Sequence, residues 1–505
     1  MGVNPKLWDA TSETFGDTHV HQLEGKVLPP VKYPNRPALT VIDGSGKIYK
    51  LMGATTSVPF SQYIEPLTRG IRDILAADPT NCLFVLMDRE SPKAKRANSA
   101  RYARPNSIVI ETPPSQNPNK IEAWREFVTE YWMPKSDIDS MLSNMHSNIS
   151  TSGRFEWLVP PYTSPGLGKP VLGDYFNNPQ FKLFFQEECC RFWAEHVSVL
   201  PSQWLGIMGS NDFFYLNRGA ETSIRRSMFN FAFKEADPII GHIIRVFDSY
   251  NINVISDDGD VIVVALLTQH HLRDSSATGY LSVNQTKFER QCNVVWKWFP
   301  NKRSLVYYDI ETLWRSINFT VLDAWKRSDI DIEGCPIMIF TVIAALNGND
   351  YVRSFPQLSP FVYFKTFLAN AGNFTQLTSD WDRGLEEPIK LNCSAIVELV
   401  LQAYKTKYPS IELNSDVEQT LAQIKRASGK RAVEITLADL RTRLGNLCYY
   451  LTYFINAQYA QPPPSEFMQS VDGESLYGYT VQSKEDKIEI TYTDVPRLNH
   501  IDFYS

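Results

Sequence analysis

Three short apolar runs along the chain each end in carboxylates. Ala38-Leu39-Thr40-Val41-Ile42 runs into Asp43-Gly44-Ser45-Gly46, and the apolar run from Cys82 to Met87 is closed by Asp88. A short run of this kind is what a strand buried on both faces of a parallel sheet requires. Residues 252–267 repeat the theme: Ile252-Asn253-Val254-Ile255-Ser256, then Asp257, Asp258 and Asp260, after which Val261 to Leu266 continues the apolar run. Between these segments the period changes. Phe181, Phe184, Phe185, Cys189, Phe192 and Trp193 predict an amphipathic helix over 180–198. A second helical pattern covers 222–248, broken at Pro238. Strand, acid, helix, strand, acid predicts an α/β fold with a mostly parallel central sheet flanked by helices. Ligands of such sheets gather beyond the carboxyl ends of the strands, where these acids fall.

The last part of the chain reads differently. Leu391–Tyr408, Leu413–Arg426 and Leu437–Ala457 predict helices, Pro462-Pro463-Pro464 is a stiff breaker, and Lys487–Tyr492 alternates like an edge strand. The expected division is a core over 1–375 and a helical C-terminal region with an irregular tail over 376–505.

Composition narrows the class. With 43% hydrophobic residues among 505, the chain is not disordered, collagenous or low-complexity. The longest apolar runs, Val261–Leu267 and Ile337–Leu346, fall far short of the roughly 20 residues of a membrane span, so no membrane partner is expected. Met1-Gly2-Val3-Asn4-Pro5-Lys6 carries no apolar signal region, and Lys6 stands where a myristoylation signal wants Ser or Thr. The seven cysteines form no C-x-x-C pair, which predicts reduced thiols in a cytoplasmic or nuclear protein that is not secreted. The 50 Lys and Arg against 56 Asp and Glu leave a formal charge of −6. That disfavours a surface coated throughout with nucleic acid but leaves room for a local basic groove.

Asp43, Asp88, Glu235, Asp237, Asp258, Asp260 and Asp350 are the candidate acids. One strand ending in a carboxylate is an ordinary turn former. Several converging from neighbouring strands repel one another unless cations neutralise them. Mg²⁺ is the natural partner of such oxygens, with Mn²⁺ as a possible substitute. Two such ions about 4 Å apart can support phosphodiester hydrolysis. The alternation Asp258-Gly259-Asp260 would set two acids on one side of an extended segment. Directly after Asp88, residues 89–104 hold six basic residues against one Glu. Alone that is a solvated basic stretch; beside a metal site it suits a phosphate clamp.

Taken together, these motifs resemble the metal-dependent 5′ nucleases: flap endonucleases, the XPG repair nuclease and the Xrn-type 5′→3′ exoribonucleases. Met1-Gly2-Val3 with Pro5-Lys6 is similar to the Xrn start, and Asp43-Gly44-Ser45-Gly46-Lys47-Ile48-Tyr49 to the first acid motif. Asp88 with Pro92-Lys93-Ala94-Lys95 resembles the second, Glu235-Ala236-Asp237 the acid pair and Asp258-Gly259-Asp260-Val261-Ile262 the next. Gly348-Asn349-Asp350-Tyr351 resembles the last acid motif, followed by Phe355-Pro356-Gln357-Leu358. The resemblance spans about residues 1–370. It implies Asp43, Asp88 and Lys95 as catalytic residues, with Lys95 beside the scissile phosphate. It also implies the seven acids as metal ligands and Tyr49 as the ring stacking on the terminal base. Tyr49, Lys93, Lys95, Arg96, Arg101 and Arg104 would bind nucleic acid, the partner being RNA or DNA with a free 5′ end.

Some positions depart from the pattern. Ser45 replaces an Asn, Arg89 a Gly, Lys93 an Arg and Asp237 a Glu, while Tyr102 and Ala103 stand where Xrn enzymes carry paired arginines. Glu221 competes for the acid-pair role. Nothing after Asp350 resembles the glycine-rich hairpin of flap endonucleases, which favours the Xrn-type exoribonuclease over a flap-type or RNA endonuclease. A non-catalytic nucleic-acid-binding scaffold is disfavoured because no expected acid is missing. His19-Val20-His21 lacks a third ligand, Cys189-Cys190 reads as incidental or core, and Trp296, Trp298 and Phe299 read as core.

Overall fold

The computed structural model describes residues 6–25, 27–51, 58–88, 155, 158–159, 172, 176, 179–209, 213–219, 221–226, 235–247, 249–274, 291–296, 298, 304–328, 335–375, 377, 391–414, 416–429, 435–458, 479–484 and 487–492. Among the described residues, nine strands build one sheet. In chain order they are β1 (Val20–Glu24), β2 (Ala38–Asp43), β4 (Cys82–Leu86), β6 (Trp204–Met208), β7 (Phe213–Arg218), β8 (Glu221–Arg226), β9 (Asn251–Ser256), β10 (Gln291–Trp296) and β11 (Ser304–Asp309). Short β3 (Val58–Pro59) pairs with β5 (Leu158–Val159). The sheet order is β1-β11-β10-β9-β2-β4-β6-β7-β8. The five central strands β10, β9, β2, β4 and β6 run parallel, and antiparallel pairs close both flanks.

The continuous apolar runs behave as the period argument requires. Every residue of β2, β4 and β9 is buried, because helices cover both faces. Alternate side chains enter two cores: Leu39, Val41, Phe84 and Val254 on one face, Ile42, Leu83, Val85 and Ile255 on the other. The second face packs on helices α3 (Phe60–Ala77) and α4 (Pro179–His196). The first packs on α1 (Lys6–Phe15), α5 (Ala236–Val246), α6 (Gly259–Asp274), α7 (Ile310–Arg327) and α8 (Pro336–Leu346). Helices α9 (Pro360–Ala369), α10 (Cys393–Lys407), α11 (Val417–Ala427) and α12 (Leu437–Gln458) extend that same core. Between β2 and β4 lies α2 (Gly44–Lys50), capped by the Asp43 carboxylate. Among the described residues no helix is long and apolar enough to cross a membrane.

Two expectations about local structure are corrected. The run after Asp260 is not extended: α6 begins at Gly259, and Val261–Leu267 is a helix so deeply buried that its apolar residues show no face. Burial on all sides erases the period that separates helix from strand. Within 222–248 the first residues belong to strand β8, and the helix begins only at Ala236. Pro238 lies in the first turn of α5, where its missing N–H costs nothing, so it helps to start the helix rather than break it. The tail strand β13 (Lys487–Tyr492) pairs with β12 (Tyr479–Lys484) in a separate two-stranded sheet.

The topology sets the site. From β2 the chain proceeds to β4 on one side, and from β9 to β10 on the other, so the order reverses between β2 and β9. A crevice opens at such a switch point, at the carboxyl ends of the strands. Gly44 sits there because the turn after β2 presses on its neighbour: a Cβ would lie 2.9 Å from Met87 Cε and 3.0 Å from the Leu86 carbonyl.

Candidate metal centre

Asp43 ends β2, Asp88 lies two residues beyond β4, and Asp258 two beyond β9. Three adjacent parallel strands therefore deliver one acid each to the same edge. Asp43 Oδ2 accepts a 2.9 Å hydrogen bond from Ser256 Oγ, across the switch point, and its Oδ1 accepts from the Gly46 amide at 3.5 Å. The Asp88 amide donates to Ser45 Oγ at 2.7 Å, and Asp88 Oδ1 accepts from the Ala236 amide at 3.1 Å. Asp258 Oδ1 accepts from the Asp260 amide at 3.0 Å, which winds the chain into α6. The pair Asp258/Asp260 thus reaches the site from a helix start rather than from one side of a strand.

The start of α5 brings two more acids. Glu235, its N-cap, is buried, and Asp237 lies in its first turn. One carboxylate oxygen each from Asp237, Asp258 and Asp260 fall within 4.8 Å of one another, a spacing that suits a hard divalent cation. Asp43 joins this group electrostatically. Burial first, then the charges of Asp88 and Asp258, push its carboxyl up to about 7, while Ser256 and Lys47 pull the other way. Asp237 is held well above the usual carboxylate range, by desolvation first and then by Asp258, Asp43, Glu235 and Asp260. Its side chain keeps some solvent contact yet is surrounded by protein and like charge, so desolvation still leads. Carboxylates that resist ionisation, through burial first and one another's charge second, are a favourable setting for a cation that neutralises them. The all-oxygen donor set fits Mg²⁺ or Mn²⁺.

Asp350 lies in the turn after α8, half-buried, beside Tyr351, whose hydroxyl reaches Glu235. It stands outside the triad of Asp237, Asp258 and Asp260. Tyr49 falls in α2, six positions past Asp43, and its side chain lies outside what the structure describes. Lys93, Lys95, Arg96, Arg101 and Arg104 lie outside the described residues altogether. Glu221 is in β8, the far edge strand.

Several contributors were not legible in the sequence. Lys182 Nζ lies 3.5 Å from Asp88 Oδ2, and one turn on, Gln186 Nε2 donates to Ser45 Oγ at 2.7 Å. Their i, i+4 spacing puts both on one face of α4, but nothing in it marks the residues they meet. Buried Lys47 pairs with Asp257 at 2.9 Å and donates to the Trp298 carbonyl at 3.1 Å. Tyr450 of α12 donates to Asp260 Oδ1 at 2.8 Å, a contact 190 residues apart with no local signature. His19 is buried, and His21 stacks on Tyr307 with ring centroids 5.0 Å apart. Cys189, Cys190 and Trp298 are core, as expected.

The fold and site define an open α/β sheet with a carboxylate-lined crevice at its switch point. Among solved structures, the chain is similar to the catalytic core of Rad2 in complex with DNA substrate. Identity is 12% and the TM-score 0.30, covering 88% of this chain and 100% of that one. It is also similar to a bacteriophage T5 flap endonuclease in a pseudo-enzyme–product complex with DNA and metal ions. There the identity is 11% and the TM-score 0.25, covering 81% of this chain and 99% of that one. No protein-family model matches the chain, and no curated protein matches it. At such identities the functional reading rests on the site itself.

Proposed function

We propose that the chain is a metal-dependent 5′ nuclease, acting as a 5′→3′ exoribonuclease. The observation that carries this reading is the gathering of Asp43, Asp88, Asp237, Asp258 and Asp260 at the carboxyl edge of three adjacent parallel strands. In this reading Asp237, Asp258 and Asp260 hold one cation, and Asp43, Asp88, Glu235 and Asp350 complete the sites. When bound, Mg²⁺ supplies Lewis-acid polarisation of the phosphodiester and of the attacking water. Asp43, with its carboxyl near 7, shares a proton at neutral pH and must release it on loading. Lys95 stabilises charge on the phosphate, and Tyr49 stacks on the terminal base. Lys93, Arg96, Arg101 and Arg104 draw in the backbone. Residues 1–375 form the catalytic unit and the helical region 376–505 supports it.

The test is cleavage of 5′-phosphorylated and 5′-hydroxyl RNA and DNA in Mg²⁺, with wild type and Asp88→Ala. Mononucleotides released from the 5′ end of RNA, and lost in the variant, support the reading. Larger fragments point to an endonuclease instead. An Asp88→Ala rate near wild type removes the assignment.

A further inference from the structure

Two buried tyrosines reach the acids from outside the strand ends. Tyr351 donates its hydroxyl to Glu235 Oε2, and Tyr450 donates to Asp260 Oδ1 at 2.8 Å. Their rings touch, with centroids 5.7 Å apart and planes inclined by 46°. Each sits on braced backbone. Asn349 Oδ1 accepts from the amides of Tyr351 at 2.9 Å and Val352 at 2.7 Å, pinning a turn that Gly348 enters at φ +97°. On α12, Arg443 lies two turns before Tyr450 and donates to the carbonyls of Arg353 and Ser354, each at 2.5 Å. The turn and the C-terminal helix are therefore docked at two levels.

We infer that Tyr351 and Tyr450 are a positioning pair that aims Glu235 and Asp260, so that cation affinity depends on the docking of α12 against the 347–354 turn. The inference rests on the metal-site reading above. A hydroxyl that donates to one carboxylate oxygen fixes the rotamer, and with it the direction in which the carboxylate presents its lone pairs. Phe in place of either Tyr keeps the ring and removes only the donor.

The experiment measures Mn²⁺ binding to the full chain by electron paramagnetic resonance, alongside melting curves without metal. The chains are wild type, Tyr450→Phe, Tyr351→Phe, the double variant and Asp258→Asn. Each single tyrosine variant should bind Mn²⁺ about tenfold more weakly, and the double variant more weakly still, with metal-free melting close to wild type. Wild-type affinity in all three tyrosine variants, with binding lost in Asp258→Asn, overturns the pair and leaves the metal site standing. Absence of Mn²⁺ binding by wild type overturns the metal reading and the pair together. Should one tyrosine variant fail to fold, the other decides.

Discussion

Asp258→Asn should make the metal-free protein more stable while abolishing its response to Mg²⁺. The substitution is nearly isosteric, and the new side-chain oxygen can still accept the Asp260 amide that Asp258 Oδ1 accepts at 3.0 Å. What disappears is one negative charge from a group whose oxygens lie within 4.8 Å of one another. At that spacing and an effective dielectric near 20, two carboxylates repel by about 3 kcal/mol. Part of this is already relieved by protonation, since Asp43 and Asp237 are held up toward their neutral forms. The net gain should be about 1–2 kcal/mol, or roughly 1–2 °C in melting temperature for a chain of this size. The pH dependence has a defined sign. Asp43 has a folded-state pKa of about 7, raised from 3.8, so its penalty is full above pH 7 and fades as pH falls toward 4. The stabilisation of the variant should therefore be larger at pH 8 than at pH 5.5. The assay is differential scanning calorimetry at both pH values, with EDTA and with Mg²⁺. Wild type should gain about 3 kcal/mol when Mg²⁺ exceeds its dissociation constant a hundredfold, and the variant nothing. A variant less stable than wild type in EDTA at pH 8, or one equally stabilised by Mg²⁺, would refute the reasoning.

Two further predictions concern the surroundings of the site. Lys47→Met leaves Asp257 without its 2.9 Å partner in a buried setting, so urea unfolding should show a loss of about 3–5 kcal/mol. His19 is buried, and desolvation depresses its pKa from 6.5 to about 4 against the opposing charge of Asp17. Its unfolded state therefore takes up the proton first. Stability drawn from keeping it neutral is whole above pH 6.5 and declines by up to about 3 kcal/mol as pH falls to 4. His19→Phe, which keeps a ring against Tyr308, should flatten that part of the stability–pH curve; an unchanged slope excludes His19 as its source.

The expectations and the structure agree where the physics is local or fully two-sided. The runs ending in Asp43 and Asp88 became buried parallel strands because continuous apolarity satisfies both faces of a covered sheet. Helices near 391–408, 413–426 and 437–457 were visible in their periodicity, and α10, α11 and α12 occupy those stretches. The run after Asp260 reads as a continuation of the strand pattern for the same reason that the strands are clear: a helix buried on every side has no polar face to mark its period.

From its residues alone the chain determined an α/β sheet, strand ends marked by acids, and carboxylates that had to meet a cation if they met one another. Whether they met was a matter of strand order. Only the tertiary arrangement β9-β2-β4 put Asp258, Asp43 and Asp88 at one crevice, since neighbours in a parallel sheet are set by crossover connections that leave no mark at the strand ends. Only tertiary structure could bring Lys182, Tyr351 and Tyr450 to those acids. Such a hydrogen bond or ion pair is a contact of a few ångströms between atoms far apart in sequence, and no periodicity in the chain encodes it.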